Sequence, residues 1–162
     1  MRILVFGRGG QLGRELHRLA QPLGEVTALD VEDLDLCDEV ALRDRIHLLK
    51  PSVILNASAY TDVDRAEQEP ELAMQINARA PGVMAECARE LGALLVHYST
   101  DFVFDGEKGG FYTEQDEPNP INAYGRSKLA GEQAVTAAGG TALILRTSWV
   151  YSLQGNSFVT KV

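Results

Sequence analysis

The run Asn122-Ala123-Tyr124-Gly125-Arg126-Ser127-Lys128 carries the residues best suited to moving a proton. A tyrosine and a lysine four apart on a helix-compatible stretch share one face. A free phenol titrates near ~10 and exchanges protons poorly at neutral pH. A neighbouring ammonium favours the phenolate, so the spacing predicts that Lys128 brings the Tyr124 phenol closer to working range. The same spacing falls on many plain surface helices, and the pair means something only if other elements place it.

Those elements begin at the N-terminus. Residues 2–6 form a short apolar run rich in Ile, Leu and Val, which predicts a buried parallel strand. It runs into Gly7-Arg8-Gly9-Gly10-Gln11-Leu12-Gly13, and Arg14 to Leu19 continue at helical spacing. Strand, glycine turn and helix form the context in which glycines read as a pyrophosphate cradle at a helix N-terminus. A second strand, 25–29, ends at Asp30, where an acidic side chain can accept from the adenosine ribose and favour NADH. Arg8 and Arg14 pull toward a 2′-phosphate, so NADPH and NADH both stay open. Asp35-Leu36-Cys37-Asp38 reads as a short extended piece that brings Asp35 and Leu36 near the adenine edge. Asp38 caps a helix over 39–49.

Pro51 breaks that helix, and 53–55 is a fourth buried run. It ends in Asn56-Ala57-Ser58-Ala59-Tyr60-Thr61, small residues where a strand's carboxyl end meets a cofactor crevice. Residues 62–70 read as an acidic loop, followed by a long helix over 72–91 that Pro81 bends or interrupts. Asn77, the polar exception on its buried side, is read as a cofactor contact. A fifth strand, 94–98, carries Ser99-Thr100-Asp101 at its carboxyl end, where a hydroxyl can hold a carbonyl oxygen. After a polar connection over 105–120, Asn122 caps the Tyr124 helix, and 143–145 is a sixth strand. Strands and helices alternating in this way specify an α/β fold, a doubly wound parallel sheet of Rossmann type. Residues 1–150 are expected to be a dinucleotide-binding domain and 151–162 the start of a further region.

Composition narrows the partners. With 162 residues, 45% hydrophobic and 23% charged, the chain suits one globular core. A net charge of -8 argues against nucleic acid or an anionic membrane as the main partner. No apolar run approaches the ~20 residues of a membrane span, and the apolar N-terminal run is too short for a signal peptide. Cys37 and Cys87 lie far apart and read as reduced thiols of a cytoplasmic protein. His17, His47 and His97 show no metal-ligand spacing, so no metal is expected.

The glycine loop, Thr100 and Tyr124 with Lys128 all fall at strand ends on one side of the predicted sheet. With these segments in order, the chain resembles the extended short-chain dehydrogenase/reductases. More narrowly, it is similar to the dTDP-4-dehydrorhamnose reductases, through residues 7–16, 56–64, 99–106, 124–132 and 146–151. The resemblance implies NAD(P)H-dependent reduction of the C4 keto group of dTDP-4-dehydro-L-rhamnose to dTDP-L-rhamnose. Tyr124 would protonate the keto oxygen, Lys128 would hold the nicotinamide ribose and lower the Tyr124 pKa, and Thr100 would bind the carbonyl oxygen. Trp149 would line the sugar site together with Phe102, which stands where the family often has tyrosine. Family members continue into a small substrate domain, so the stop at Lys161-Val162 reads as a truncation inside an element. Turnover by these residues alone is expected to be severely reduced, since remote substrate contacts support the reacting geometry. Members of that family can form homodimers in their full length, sometimes with a magnesium ion, through residues expected mostly outside this chain, so neither is assigned to it. Two other readings share the motifs: another nucleotide-sugar 4-ketoreductase or epimerase, and a non-catalytic NADP-binding regulatory subunit.

Overall fold

The structure, a computed structural model, describes residues 1–151. The expected further region at 151–162 therefore lies almost wholly outside the described residues. Five parallel strands form one sheet in the order β2-β1-β3-β4-β5. They are β1 (Arg2–Phe6), β2 (Glu25–Leu29), β3 (Val53–Asn56), β4 (Leu94–Thr100) and β5 (Ala142–Thr147). The helices between them are α1 (Gln11–Ala20), α2 (Glu39–Leu49), α3 (Val63–Ala66), α4 (Pro70–Met74), α5 (Ala80–Leu91) and α6 (Ala123–Ala137).

Alternation along β1 explains the layering. Leu4 and Phe6 face one side, where Ile54 and Leu95 of neighbouring strands pack with Leu42 and Ile46 of α2, Met84 of α5 and Val135 of α6. Ile3 and Val5 face the other side against Leu16 and Ala20 of α1. The chain leaves β1 in one direction to reach β2 and then crosses back over β1 to β3. A helix following each direction of travel must lie on opposite faces, because such crossovers are right-handed. The carboxyl ends of β1 and β3 consequently part, which opens a crevice at the switch point.

Four expectations need correction. Asp35–Asp38 is a turn rather than an extended piece: the Asp35 carboxylate accepts from Cys37 N at 2.9 Å, and its carbonyl accepts from Asp38 N at 3.2 Å. The apolar count is too low there for a buried strand, so the sheet has five strands rather than six. The 62–70 segment holds α3, capped by Asp62, whose carboxylate accepts from Arg65 N at 3.0 Å. The helix over 72–91 starts earlier, at Pro70, and contains a wide turn at Gln75–Arg79. Pro81 lacks a backbone donor, and the loosened turn before it absorbs the missing bond and the ring without a break.

Candidate active site

A cleft of about 830 Å³ opens at the β1–β3 switch point, within the range of cofactor pockets. Its first wall is the loop from β1 into α1. Gly10 is the N-cap of α1, and no acidic residue occupies the helix's first turn, so the positive end of α1 faces the cleft without a carboxylate of its own. Gly7 has φ 82°, and a Cβ there would meet Ser58 N at 2.8 Å. A Cβ on Gly13 would lie 1.8 Å from the Gly7 carbonyl oxygen. Only bare backbone closes this turn, and bare backbone is what a pyrophosphate needs to approach. The donor set therefore fits a dinucleotide.

Asp30 secures the loop and lines the cleft. Its carboxylate accepts from Gly9 N and, at 2.9 Å, from Val31 N. Gln11, Leu12, Asp35 and Leu36 line the same end, with Arg14, Val31 and Leu34 beside them. Arg8 turns aside: its guanidinium donates to Asp33 at 2.7 Å and to the Ala28 carbonyl at 3.3 Å.

The floor is set by Asn56 at the end of β3. Its carbonyl oxygen accepts from Ser58 N and from the Ser58 hydroxyl, and its amide donates to His97 Nδ1 at 3.1 Å. Burial chiefly, then the Lys128 charge, lowers the His97 pKa to about 3. The ring is neutral and Nδ1 is its acceptor. Ala57, Ser58 and Ala59 line the cleft, whereas Tyr60 and Asn77 stand behind it. Asn77 accepts from Tyr60 N at 2.8 Å and donates to the Tyr60 carbonyl and to Ser127 Oγ, so it ties the loop after β3 to α6.

The second wall is α6. Asn122 caps it, accepting from Gly125 N at 2.7 Å, and Tyr124 and Lys128 both reach the cleft. Lys128 is 2% exposed and donates to the Tyr98 carbonyl at 2.6 Å. Burial lowers its pKa to about 8, against the opposing pull of Glu132. Tyr124 departs from expectation. Burial raises its pKa, a hydrogen bond with Thr100 opposes this, and Asp101 adds to the rise. Burial, and not the Lys128 charge, dominates the phenol, so Tyr124 holds its proton at neutral pH.

Thr100 touches the site through Tyr124. Its hydroxyl also accepts from Phe102 N and donates to Asp101. Phe102 is 41% exposed, its ring edge-on to Tyr124 at 5.6 Å. Trp149, 68% exposed, lies past β5 and does not line the cleft. Sequence reasoning passed over Ile76, Tyr98, Ser99, Thr147 and Val150, which do line it. The strand-end rule applied to all of β4 and β5 would have found Tyr98, Ser99 and Thr147; Ile76 comes from the wide turn and carried no signal.

Away from the cleft, His47, Cys87 and Glu90 bring ligand atoms within 4.8 Å of one another. Arg43 already sits among them, 3.7 Å from the Cys87 sulfur and 3.6 Å from Glu90. No helix among the described residues is long and apolar enough to cross a membrane.

Comparison with known proteins agrees with this fold. The dTDP-4-dehydrorhamnose reductase of Salmonella typhimurium is 46% identical over 162 residues, covering 98% of this chain and 54% of its own length. A dTDP-4-dehydrorhamnose reductase crystal structure from Clostridium acetobutylicum superposes with TM-score 0.95 at 43% identity, covering 99% of this chain and 57% of that one. The Bacillus anthracis reductase, in complex with NADP, gives TM-score 0.94 at 38% identity, again covering 99% and 57%. The chain thus spans about half the length of the curated relatives it matches. The family described as RmlD substrate binding domain matches residues 1–162, and the chain belongs to that family.

Proposed function

We propose that the protein reduces the C4 keto group of dTDP-4-dehydro-L-rhamnose with NADPH or NADH, giving dTDP-L-rhamnose in the cytoplasm, with Tyr124 as proton donor. The observation that carries this is Tyr124, hydrogen-bonded to Thr100, lining the same cleft as the glycine loop. Similarity to relatives named for that reduction supports it. So does the NADP complex of the Bacillus anthracis reductase.

When bound, the dinucleotide supplies hydride. Gly7 through Gly13 and the α1 N-terminus hold its pyrophosphate, and Asp30, Asp35 and Leu36 frame the adenosine end. A ketone gains negative charge on oxygen as it is reduced, and that charge must be met by a proton. Thr100 Oγ1 and the Tyr124 hydroxyl meet it together, and Tyr124 gives up its proton. The phenol carries its proton at neutral pH, as a donor must; its raised pKa is a cost, met because the alkoxide forming on the ketone oxygen is a far stronger base than a phenolate. The Lys128 ammonium, which lines the same cleft, would donate to the nicotinamide ribose. Phe102 and Trp149, both exposed, are left to meet the sugar.

The test is oxidation of NADPH and NADH by the full-length protein with dTDP-4-dehydro-L-rhamnose, with Tyr124→Phe alongside. Rapid oxidation that collapses in the variant is expected. Tight dinucleotide binding without net oxidation would overturn the reading in favour of an epimerase or a regulatory subunit.

A further inference from the structure

Glu132 sits one turn beyond Lys128 on α6, and both side chains face inward, at 7% and 2% exposure. The carboxylate is not free to bond Lys128. Arg146 on β5 takes both of its oxygens, Nε to Oε1 at 2.9 Å and Nη2 to Oε2 at 2.6 Å. Such a bidentate pair fixes geometry as well as charge. The guanidinium also lies 4.9 Å over the Phe104 ring, and its Nη1 is buried with no acceptor. Arg146, 24% exposed, keeps part of its hydration without Glu132, whereas Glu132 without Arg146 would be a stranded buried charge. Held off the carboxylate, Lys128 donates instead to the Tyr98 carbonyl at 2.6 Å and lines the cleft.

We propose, building on the reading of the cleft above, that Glu132 is a positioning residue acting through Lys128. Its charge keeps the buried ammonium protonated, while Arg146 holds the carboxylate back so that the ammonium stays on the Tyr98 carbonyl and faces the reacting groups.

The surrounding charges have definite senses. On α6 itself, Glu132 favours the ammonium against the larger effect of burial. From β4, His97 is neutral and Tyr98 presents a carbonyl, its phenol raised by burial. From β5 comes Arg146, which is also drawn by Glu114 of the 104–120 connection. Asp101, in the turn after β4, bears on Tyr124. The wide turn offers neutral Asn77, bonded to Ser127. Glu67 after α3 is bound to the Ala123 N–H, Glu71 of α4 pairs with Arg79, and Arg89 of α5 donates to the Ala138 carbonyl at the far end of α6. Glu132 is thus the anion placed to act on Lys128.

The experiment is an NMR titration of the Lys128 side chain in this chain, in Glu132→Gln, in Arg146→Met and in the double variant. Glu132→Gln leaves a cation nearby and is expected to lower the Lys128 titration point by on the order of one unit. Arg146→Met frees the carboxylate to bond Lys128 and is expected to raise it by a similar amount. The double variant leaves neither Glu132 nor Arg146 without its partner, so it separates loss of the charge on Lys128 from loss of the clamp, and its titration point is expected to fall. A lysine that titrates unchanged in the double variant, or moves the same way in both singles, overturns the proposal. A merely structural clamp would give that result. The readout uses neither dinucleotide nor sugar. Shifts as described, beside a full-length protein that oxidises no NADPH with the sugar, would sink the proposed reduction and leave the Glu132 role standing; full-length turnover with an unmoved Lys128 would do the reverse.

Discussion

The two walls of the cleft are made from different materials. The β1–α1 wall is backbone: glycines pressed against carbonyls, a helix N-terminus facing the cleft, and charges such as Arg8 and Asp33 in partial contact with water. The α6 wall is buried charge: Lys128 and Glu132 lie inside, His97 is neutral behind them, and Tyr124 is pushed up by burial. Backbone geometry is indifferent to pH and intolerant of a single methyl group. A buried charge tolerates changes of shape better but couples function and stability to pH. The difference separates two tasks, holding a ligand and moving a proton, and each wall should break in its own way.

Breaking the second wall at its acid should have the largest effect. Tyr124→Phe keeps the ring contact with Phe102 and removes the proton, so turnover of the full-length protein is expected to fall by about 10²–10⁴. Dinucleotide affinity, measured by calorimetry, should hold. Breaking the first wall should do the opposite. Gly13→Ala places a methyl 1.8 Å from a backbone oxygen that has nowhere to move. Dinucleotide affinity is expected to drop by at least tenfold, and stability by about 3 kcal/mol with no dependence on pH. A Gly13→Ala protein that binds NADPH normally would refute the cradle.

Lys128 gives a sharper contrast. Its folded pKa is about 8, below its ordinary 10.5. Between those values the unfolded chain binds more protons than the folded one, so this group makes stability rise with pH across that window. Below pH 8 the full cost of burying the ammonium applies, on the order of 3 kcal/mol. Lys128→Met removes that cost and also a hydrogen bond worth about 1 kcal/mol. The variant is expected to be the more stable protein at pH 7 in urea unfolding, to lose its advantage near pH 10, and to turn over no substrate. A Lys128→Met protein less stable than the parent at pH 7 would show that the ammonium is better compensated than its surroundings indicate.

The first wall was readable in the sequence and the second only in outline. Apolar runs followed by glycines at tight spacing have few structural solutions, so β1, the loop and α1 fell where expected. Asn56 through Ala59 were found by the rule that ligands meet strand ends. Tyr124 and Lys128 were found by spacing, but spacing carries no information about burial. The expectation that Lys128 lowers the phenol pKa failed for that reason: desolvation of the buried phenol dominates. Asn77 was recognised as a buried polar residue, yet its amide ties Tyr60 to Ser127 rather than lining the cleft. Such cross-element partners depend on tertiary contacts far apart in sequence. The wide turn at Gln75–Arg79 depends on how Pro81 is accommodated, which local pattern leaves open.

The smallest effects sharpen the comparison most, because two helix caps offer matched chemistry in unmatched places. Asp38 accepts from Ala41 N at 2.9 Å at the start of α2, and Asn122 accepts from Gly125 N at 2.7 Å at the start of α6. Replacing either by alanine is expected to cost about 1 kcal/mol, read as similar small shifts in urea midpoint. The functional outcomes should diverge. The first turn of α2 carries no proposed site residue, so Asp38→Ala leaves turnover and dinucleotide affinity unchanged. The first turn of α6 carries Tyr124, and a frayed turn lets the phenol drift from Thr100. Asn122→Ala should therefore lower turnover several-fold while dinucleotide affinity holds, since the cradle lies on the other wall. Equal turnover in the two variants would mean that packing against Phe102, rather than the cap, fixes the phenol.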